Sequence, residues 1–250
     1  MKRLFLGFNL LLLFGLFPFV AHGEWNVLVV DAVSEPGHEF NVLKDNVEEV
    51  AGEPVTYAQT VSTALIDEDL ANYDVVWLGW NCSSDDGNYF RDKDADQIAA
   101  YVEAGGCLLT SATDNNGWKS DWLPADFTVL DTGDYDLEVT EEGKELFSNP
   151  NDVDPGSLIM DERYTSIDDA YTVLAWAKGM EGSDAGVLQI TLGKGLYLLA
   201  SIDNRDVGKT QSNLPLMENM LYYAIAFAEE ARAVEPSDKL ATTWASIKAQ

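Results

Sequence analysis

Tyr73 to Asn115 reads YDVVWLGWNCSSDDGNYFRDKDADQIAAYVEAGGCLLTSATDN, and its order of apolar and polar runs decides the fold. Asp74–Trp80 is an apolar run flanked by turn residues, as expected of a strand buried on both faces. An acidic loop follows, then a helix with Ile98, Tyr101 and Val102 on one face. Asp94 and Asp96 suit the positive end of its dipole. Gly105-Gly106 stops the helix, and Cys107–Ser111 makes the next strand. This is one βαβ unit of a parallel sheet, whose ligands bind at the C-terminal strand ends.

The same alternation extends outward. Trp25–Ala32 is a first buried strand, and Pro36-Gly37 opens a helix with the stripe Phe40, Leu43, Val47 and Val50, closed by Gly52. Val55–Val61 is a second strand, and Ser62–Ala71 a short acidic helix. Residues 115–170 are rich in Asp, Gly, Asn and Pro and read as loops, with a short helix near Glu141–Phe147 and an edge strand or two. Tyr171–Ala177 is a further strand. Val187–Leu192 and Leu196–Ala200, joined by Gly193-Lys194-Gly195, form a hairpin. Leu214–Ala231 closes the domain as a helix whose buried stripe holds Met217, Met220, Leu221, Ala224, Ile225 and Ala228. The expected class is α/β: a doubly wound, flavodoxin-like, mostly parallel sheet with an antiparallel edge hairpin.

Lys2-Arg3, the apolar run Leu4–Val20 and the small residues Ala21-His22-Gly23 read as a signal peptide over residues 1–23. The alternative for this segment is a retained anchor. The α/β domain then spans 24–232, a tail spans 233–250, and the expected location is secreted or periplasmic. The chain carries 43 Asp and Glu against 15 Lys and Arg, a formal charge of −28. Loss of the leader would remove two basic residues and no acidic one. Such a surface repels nucleic acid and anionic lipid, so neither is expected as a partner, nor is a membrane after signal cleavage. Cys82 lies past the C-terminal end of one strand and Cys107 opens the next. In a parallel pair those ends are on opposite sheet edges, beyond the roughly 7 Å Cα limit for a disulfide. Both are expected free, with Cys107 in the core and Cys82 facing the crevice.

The order NYDVVWLGW, YVEAGGCLLTSA, LQITLGKGLYLLASIDNR and LPLMENMLYYAIAF resembles the class I glutamine amidotransferase-like superfamily, and within it the trehalose-utilisation-type (ThuA-like) and related extracytoplasmic domains. The resemblance spans about Trp25 to Ala231. It implies a nucleophilic cysteine in a Gly-x-Cys-x-Gly turn, with a histidine and a glutamate nearer the C-terminus. This chain has Leu109-Thr110-Ser111-Ala112-Thr113-Asp114 at the turn, and Ser201-Ile202-Asp203-Asn204-Arg205 where the histidine belongs. Without an adjacent base a hydroxyl or thiol cannot be activated, so triad chemistry is not expected.

The strand ends gather Asn81, Asp85, Ser111, Asp114, Asn115, Asp203, Asn204 and Arg205. These side chains suit a carbohydrate-like ligand, with Trp80, Trp118 or Trp122 offering stacking faces. They also suit caps and turns. A Ser111 nucleophile lacks the Gly-x-Ser-x-Gly elbow, and His38, after the first strand, is its sole candidate base. No cofactor is expected beyond weak calcium. Asp85-Asp86, Asp131-x-x-Asp134-x-Asp136 and Asn151-Asp152-x-Asp154 all miss the calcium-loop pattern, and Gly193-Lys194-Gly195 lacks the helix N-terminus that holds a phosphate. The expected function is therefore a non-catalytic domain binding a carbohydrate-like ligand or a protein partner. The alternatives are a carboxylate-dependent hydrolase of a glycan or sugar-derived metabolite, with Asp114 and Asp203 as acid and base, and an assembly component of an extracytoplasmic transport or motility complex.

Overall fold

A computed structural model describes residues 23–33, 38–82, 92–111 and 121–233. Strand β1 (Trp25–Asp31) leads to helix α1 (His38–Asn46). The helix ends earlier than its apolar stripe suggested. Ala51 and Gly52 both take positive φ (55° and 84°) and turn β2 (Glu49–Val50) back onto β3 (Glu53–Val61) as a two-residue hairpin. Val47 and Val50 are still buried, but from outside the helix. The expected helix over Ser62–Ala71 is instead a pair of 3-10 turns, Ser62–Asp67 and Leu70–Asn72. Asp69 starts the second by accepting from the Ala71 amide.

Strand β4 (Val75–Leu78), helix α2 (Asp92–Glu103) and β5 (Cys107–Thr110) form the βαβ unit read from the sequence. Gly105 has φ +115°, and a Cβ on Gly106 would overlap the Tyr101 ring, so the double glycine both stops the helix and admits that ring. The region 121–170 holds more strand than expected: β6 (Thr128–Asp131), β7 (Leu137–Val139) and β8 (Glu162–Thr165), with the short helix α3 (Lys144–Ser148). β9 (Thr172–Ala177) precedes the hairpin of β10 (Ala185–Leu192) and β11 (Gly195–Ala200), and α4 (Val207–Ala233) ends the described chain.

The strands run β2-β3-β1-β4-β5-β11-β10-β8-β6, with β9 also on β10 and β7 on β9. β3, β1, β4, β5 and β11 are mutually parallel. The expected α/β, mostly parallel architecture is thus observed. The sheet turns antiparallel at the β10–β11 hairpin, which β6–β9 continue outward, and at the short β2–β3 hairpin on the opposite edge.

Period-two alternation sorts the core into two layers. Val27, Val29, Trp77, Leu109 and Leu198 face α1 and α4 through Leu43, Met217, Met220, Leu221 and Ala224. Leu28, Val30, Val76, Leu108 and Leu199 face Leu65, Leu70 and the Ile98–Val102 face of α2. Each such side chain, fully buried, contributes about 1.5–3 kcal/mol, which is why the central strands read as unbroken apolar runs. Cys107 lies in the first layer and Cys82 in the second, both buried and free. Cys82 therefore does not face solvent in the crevice as expected: its thiol turns inward and donates to the Val30 carbonyl.

Candidate functional site

The parallel strands end at one edge, and the polar residues after β1, β4, β5 and β11 meet there around a side chain that sequence reasoning passed over. Glu39, in the first turn of α1, is 2% exposed. Its Oε1 accepts from the Trp77 indole (3.2 Å) and the Asn204 amide (2.7 Å), and its Oε2 from the Trp80 backbone N–H (2.6 Å). Gly79 makes room: a Cβ there would overlap the Glu39 carboxylate. Burial raises this carboxyl to about 7, against opposing hydrogen bonds, and the Asp31 charge adds to the rise. The Ser111 hydroxyl lies close enough to favour the ionised form, without a hydrogen bond of regular geometry. Ser111 is fully buried at the end of β5.

A second buried carboxyl follows β11 and has a different environment. Asp203, fully buried, accepts from the backbone N–H and Nε of Arg205 at 3.1 and 2.8 Å, and its other oxygen meets the Lys209 ammonium. Arg205 also reaches Asp161 at 2.8 Å. Burial works to raise Asp203, but the bonds from Arg205 and Lys209 outweigh it and hold the group below the usual carboxylate range. Asn204 sits between the two carboxyls. Its Nδ2 goes to Glu39, and its Oδ1 accepts from Asn213 of α4 at 3.0 Å.

Of the residues expected at the site, Ser111 and Asn204 meet at Glu39, with Asn81 buried on the adjoining loop in a left-handed conformation (φ 65°). Asp203 and Arg205 form the ion-paired flank. Asp85, Asp114, Asn115 and Trp118 lie outside the described residues, as do nearly all of the expected signal peptide and of the C-terminal tail. Asp203 is held ionised between two cations, and its expected acid–base partner Asp114 is among the residues not described. Trp122 corrects one expectation, since it is 1% exposed and packs on Tyr197 at 6.3 Å. Trp80 is the described tryptophan at the rim, half-buried, with the Arg205 guanidinium 5.9 Å from its ring centroid. Among the described residues no group of three His, Cys, Asp or Glu is placed to hold a metal ion, and no helix is long and apolar enough to cross a membrane.

Two surface depressions lie elsewhere. One of about 570 Å³, lined by Tyr73, Gln97, Lys194 and Arg232, is at the opposite, N-terminal ends of the strands. The other, of about 940 Å³, lies in the antiparallel part beside Thr165, Thr172 and Trp176. Neither gathers buried polar groups as the strand-end cluster does. The signal for Glu39 was present in sequence: an acid in the first turn after a strand, where the dipole favours it. What the sequence withheld was its burial.

No protein-family model matches the chain, and no curated protein matches it. Solved structures do. A Thermoplasma acidophilum protein, provisionally described as one of the subunits of GMP synthase, aligns with TM-score 0.54 at 12% identity over 85% of this chain and 98% of its own. Two Salmonella typhimurium proteins, each described as cytoplasmic, align with TM-scores of 0.54 and 0.52 at 11% and 14% identity, over 80% and 81% of this chain and 98% of each of theirs. The chain thus has the class I glutamine amidotransferase-like fold. The expected secreted or periplasmic location is corrected: the neighbours with a stated compartment are described as cytoplasmic, so that expectation is withdrawn.

Proposed function

With the class I amidotransferase-like fold as the starting point, we propose that the strand-end cluster binds a small, carbohydrate-like polyhydroxylated ligand and does not perform triad chemistry. The observation that carries this reading is the convergence of a buried acceptor (Glu39), an amide (Asn204) and a hydroxyl without a regular partner (Ser111) beneath the Trp80–Arg205 rim. A buried polar atom left unsatisfied costs about 1–3 kcal/mol, and such atoms gather where a polar molecule can satisfy them. Hydroxylated ligands need directed donors and acceptors together with an aromatic face, which Trp80 supplies.

The test is thermal unfolding of the full chain against mono- and oligosaccharides, with and without calcium. A sugar at about a hundred times its dissociation constant adds about 2.7 kcal/mol and raises the midpoint. The shift should vanish in Asn204→Ala and weaken in Trp80→Ala. A flat response across the panel overturns the reading and directs the search to a protein partner.

One observation favours a second reading, a carboxylate-dependent hydrolase: Glu39 is held at about 7 with the Asp31 charge nearby, the condition a general acid needs near neutral pH. Release of nitrophenol from aryl glycosides, lost in Glu39→Gln, would establish it. Absence of turnover with sugar binding intact leaves the binding reading alone.

A further inference from the structure

Helices α2 and α4 both finish at the N-terminal edge of the strands, beside the depression of about 570 Å³ there. Its walls are short or flat side chains: Ala100 and Ala104 at the end of α2, Ala228 and Ala231 at the end of α4, and the rings of Tyr73 and Tyr101. The two helices bring their negative dipole ends to this place, and Asp69 adds a carboxylate at the rim. Of the cations lining it, Arg232 is paired with Asp74 and lies over the Trp25 ring, and Lys194 comes from the β10–β11 turn. Apolar walls under a partly negative margin suit an apolar segment that carries positive charge.

The chain supplies such a segment from the groove's own wall. α4 is described to Ala233, and Pro236 opposes a simple continuation of the helix. Lys239–Gln250, KLATTWASIKAQ, carries two lysines and no acid in a chain of formal charge −28. Leu240, Trp244 and Ile247 recur at i, i+4 and i+7, the spacing that puts apolar side chains on one helical face. Leu240 is seven positions beyond Ala233, a connection that extends over roughly 25 Å, while Ala231 and Arg232 already line the groove. We propose that residues 239–250 dock in this groove of their own chain, with Trp244 against the tyrosines and alanines and Lys239 and Lys248 at the negative margin. So short a tether holds the segment at an effective concentration on the order of millimolar, so modest contacts suffice. Trp25, where β1 begins, is not among the lining residues, so the residues before Gly23 have no comparable tether.

The experiment is the rate at which iodoacetamide alkylates Ala104→Cys in the full chain. Ala104 is exposed among the described residues and both native thiols are buried, so the new thiol is the one that reacts. With the natural tail the rate should be about tenfold below that of the same chain carrying Trp244→Asp, as expected of a site that local opening uncovers about a tenth of the time. The difference should hold on dilution. Equal, fast rates overturn the proposal. So do rates equally slow with both tails, which would put the residues before Gly23 in the groove, and so does protection that fades on dilution, which would put a second copy's tail there. Should Ala104→Cys fail to fold, a nitroxide carried by Asn72→Cys decides, at an exposed position between Ala71 and Tyr73 of the groove. It should broaden the assigned Trp244 indole resonance, and an unbroadened resonance overturns the proposal.

Discussion

Glu39 and Asp203 are both buried carboxyls at the C-terminal ends of the parallel strands, joined through Asn204, yet they are set in opposite ways. Asp203 is surrounded by a guanidinium and an ammonium and stays ionised. Glu39 has three uncharged donors, an acidic neighbour and no described cation in contact, and burial keeps it half-protonated near neutral pH. Depth alone therefore does not set a carboxyl's state. What differs is whether the donors that enclose it bring charge.

The largest effect should come from removing that charge. Arg205→Ala with Lys209→Ala strands Asp203 as an uncompensated buried anion, which costs about 3–5 kcal/mol. Urea unfolding at neutral pH measures it, and a loss below about 1 kcal/mol would mean that Asp203 reaches solvent or a proton.

The pH dependence of stability should separate the two groups. Glu39 has a folded value, about 7, above its ordinary 4.5, so the folded state holds the proton more tightly. Its contribution therefore falls as pH rises through that window, by on the order of 3 kcal/mol. Asp203 is depressed below its ordinary 3.8, so its contribution is complete above that value and is lost only as pH falls further. Unfolding free energy should thus decline from about pH 5 to about pH 8, and Glu39→Gln should remove the decline. A profile that rises over this range would show Glu39 to be ionised throughout.

Gly79→Ala places a methyl against the Glu39 carboxylate and the Val30 carbonyl. Overpacking of this kind costs about 1–3 kcal/mol, and the Glu39-dependent slope should change with it. The smallest effect belongs to Ser111→Ala, which removes a buried hydroxyl without a regular partner and should alter stability by about 1 kcal/mol or less. Calorimetry at about pH 6 and about pH 8 would detect either change.

The βαβ unit, the central strands and the double-glycine stop were legible in sequence because their determinants are local: unbroken apolar runs and punctuating glycines. So was the absence of a Cys82–Cys107 disulfide, which follows from strand direction. The three short strands in residues 121–170 were harder. β6 is mostly exposed and lacks the apolar run of a central strand. Glu39 was illegible for a different reason. Its partners Trp77, Trp80 and Asn204 lie 38, 41 and 165 residues away, and only the assembled sheet brings them together. Trp122 misled because a polar neighbourhood in sequence became a packed contact with Tyr197.

The two cysteines have a use that follows from their burial on opposite faces of the sheet. Cys107 is pushed up to about 12 and Cys82 well above its ordinary value, both chiefly by burial. Neither thiol can react with an alkylating reagent until its own layer opens. Their modification rates in the native protein form two independent clocks, one for the layer under α1 and α4 and one for the layer under α2. Equal rates would mean that the sheet loses both coverings in one event; unequal rates would identify the helix layer that lifts first.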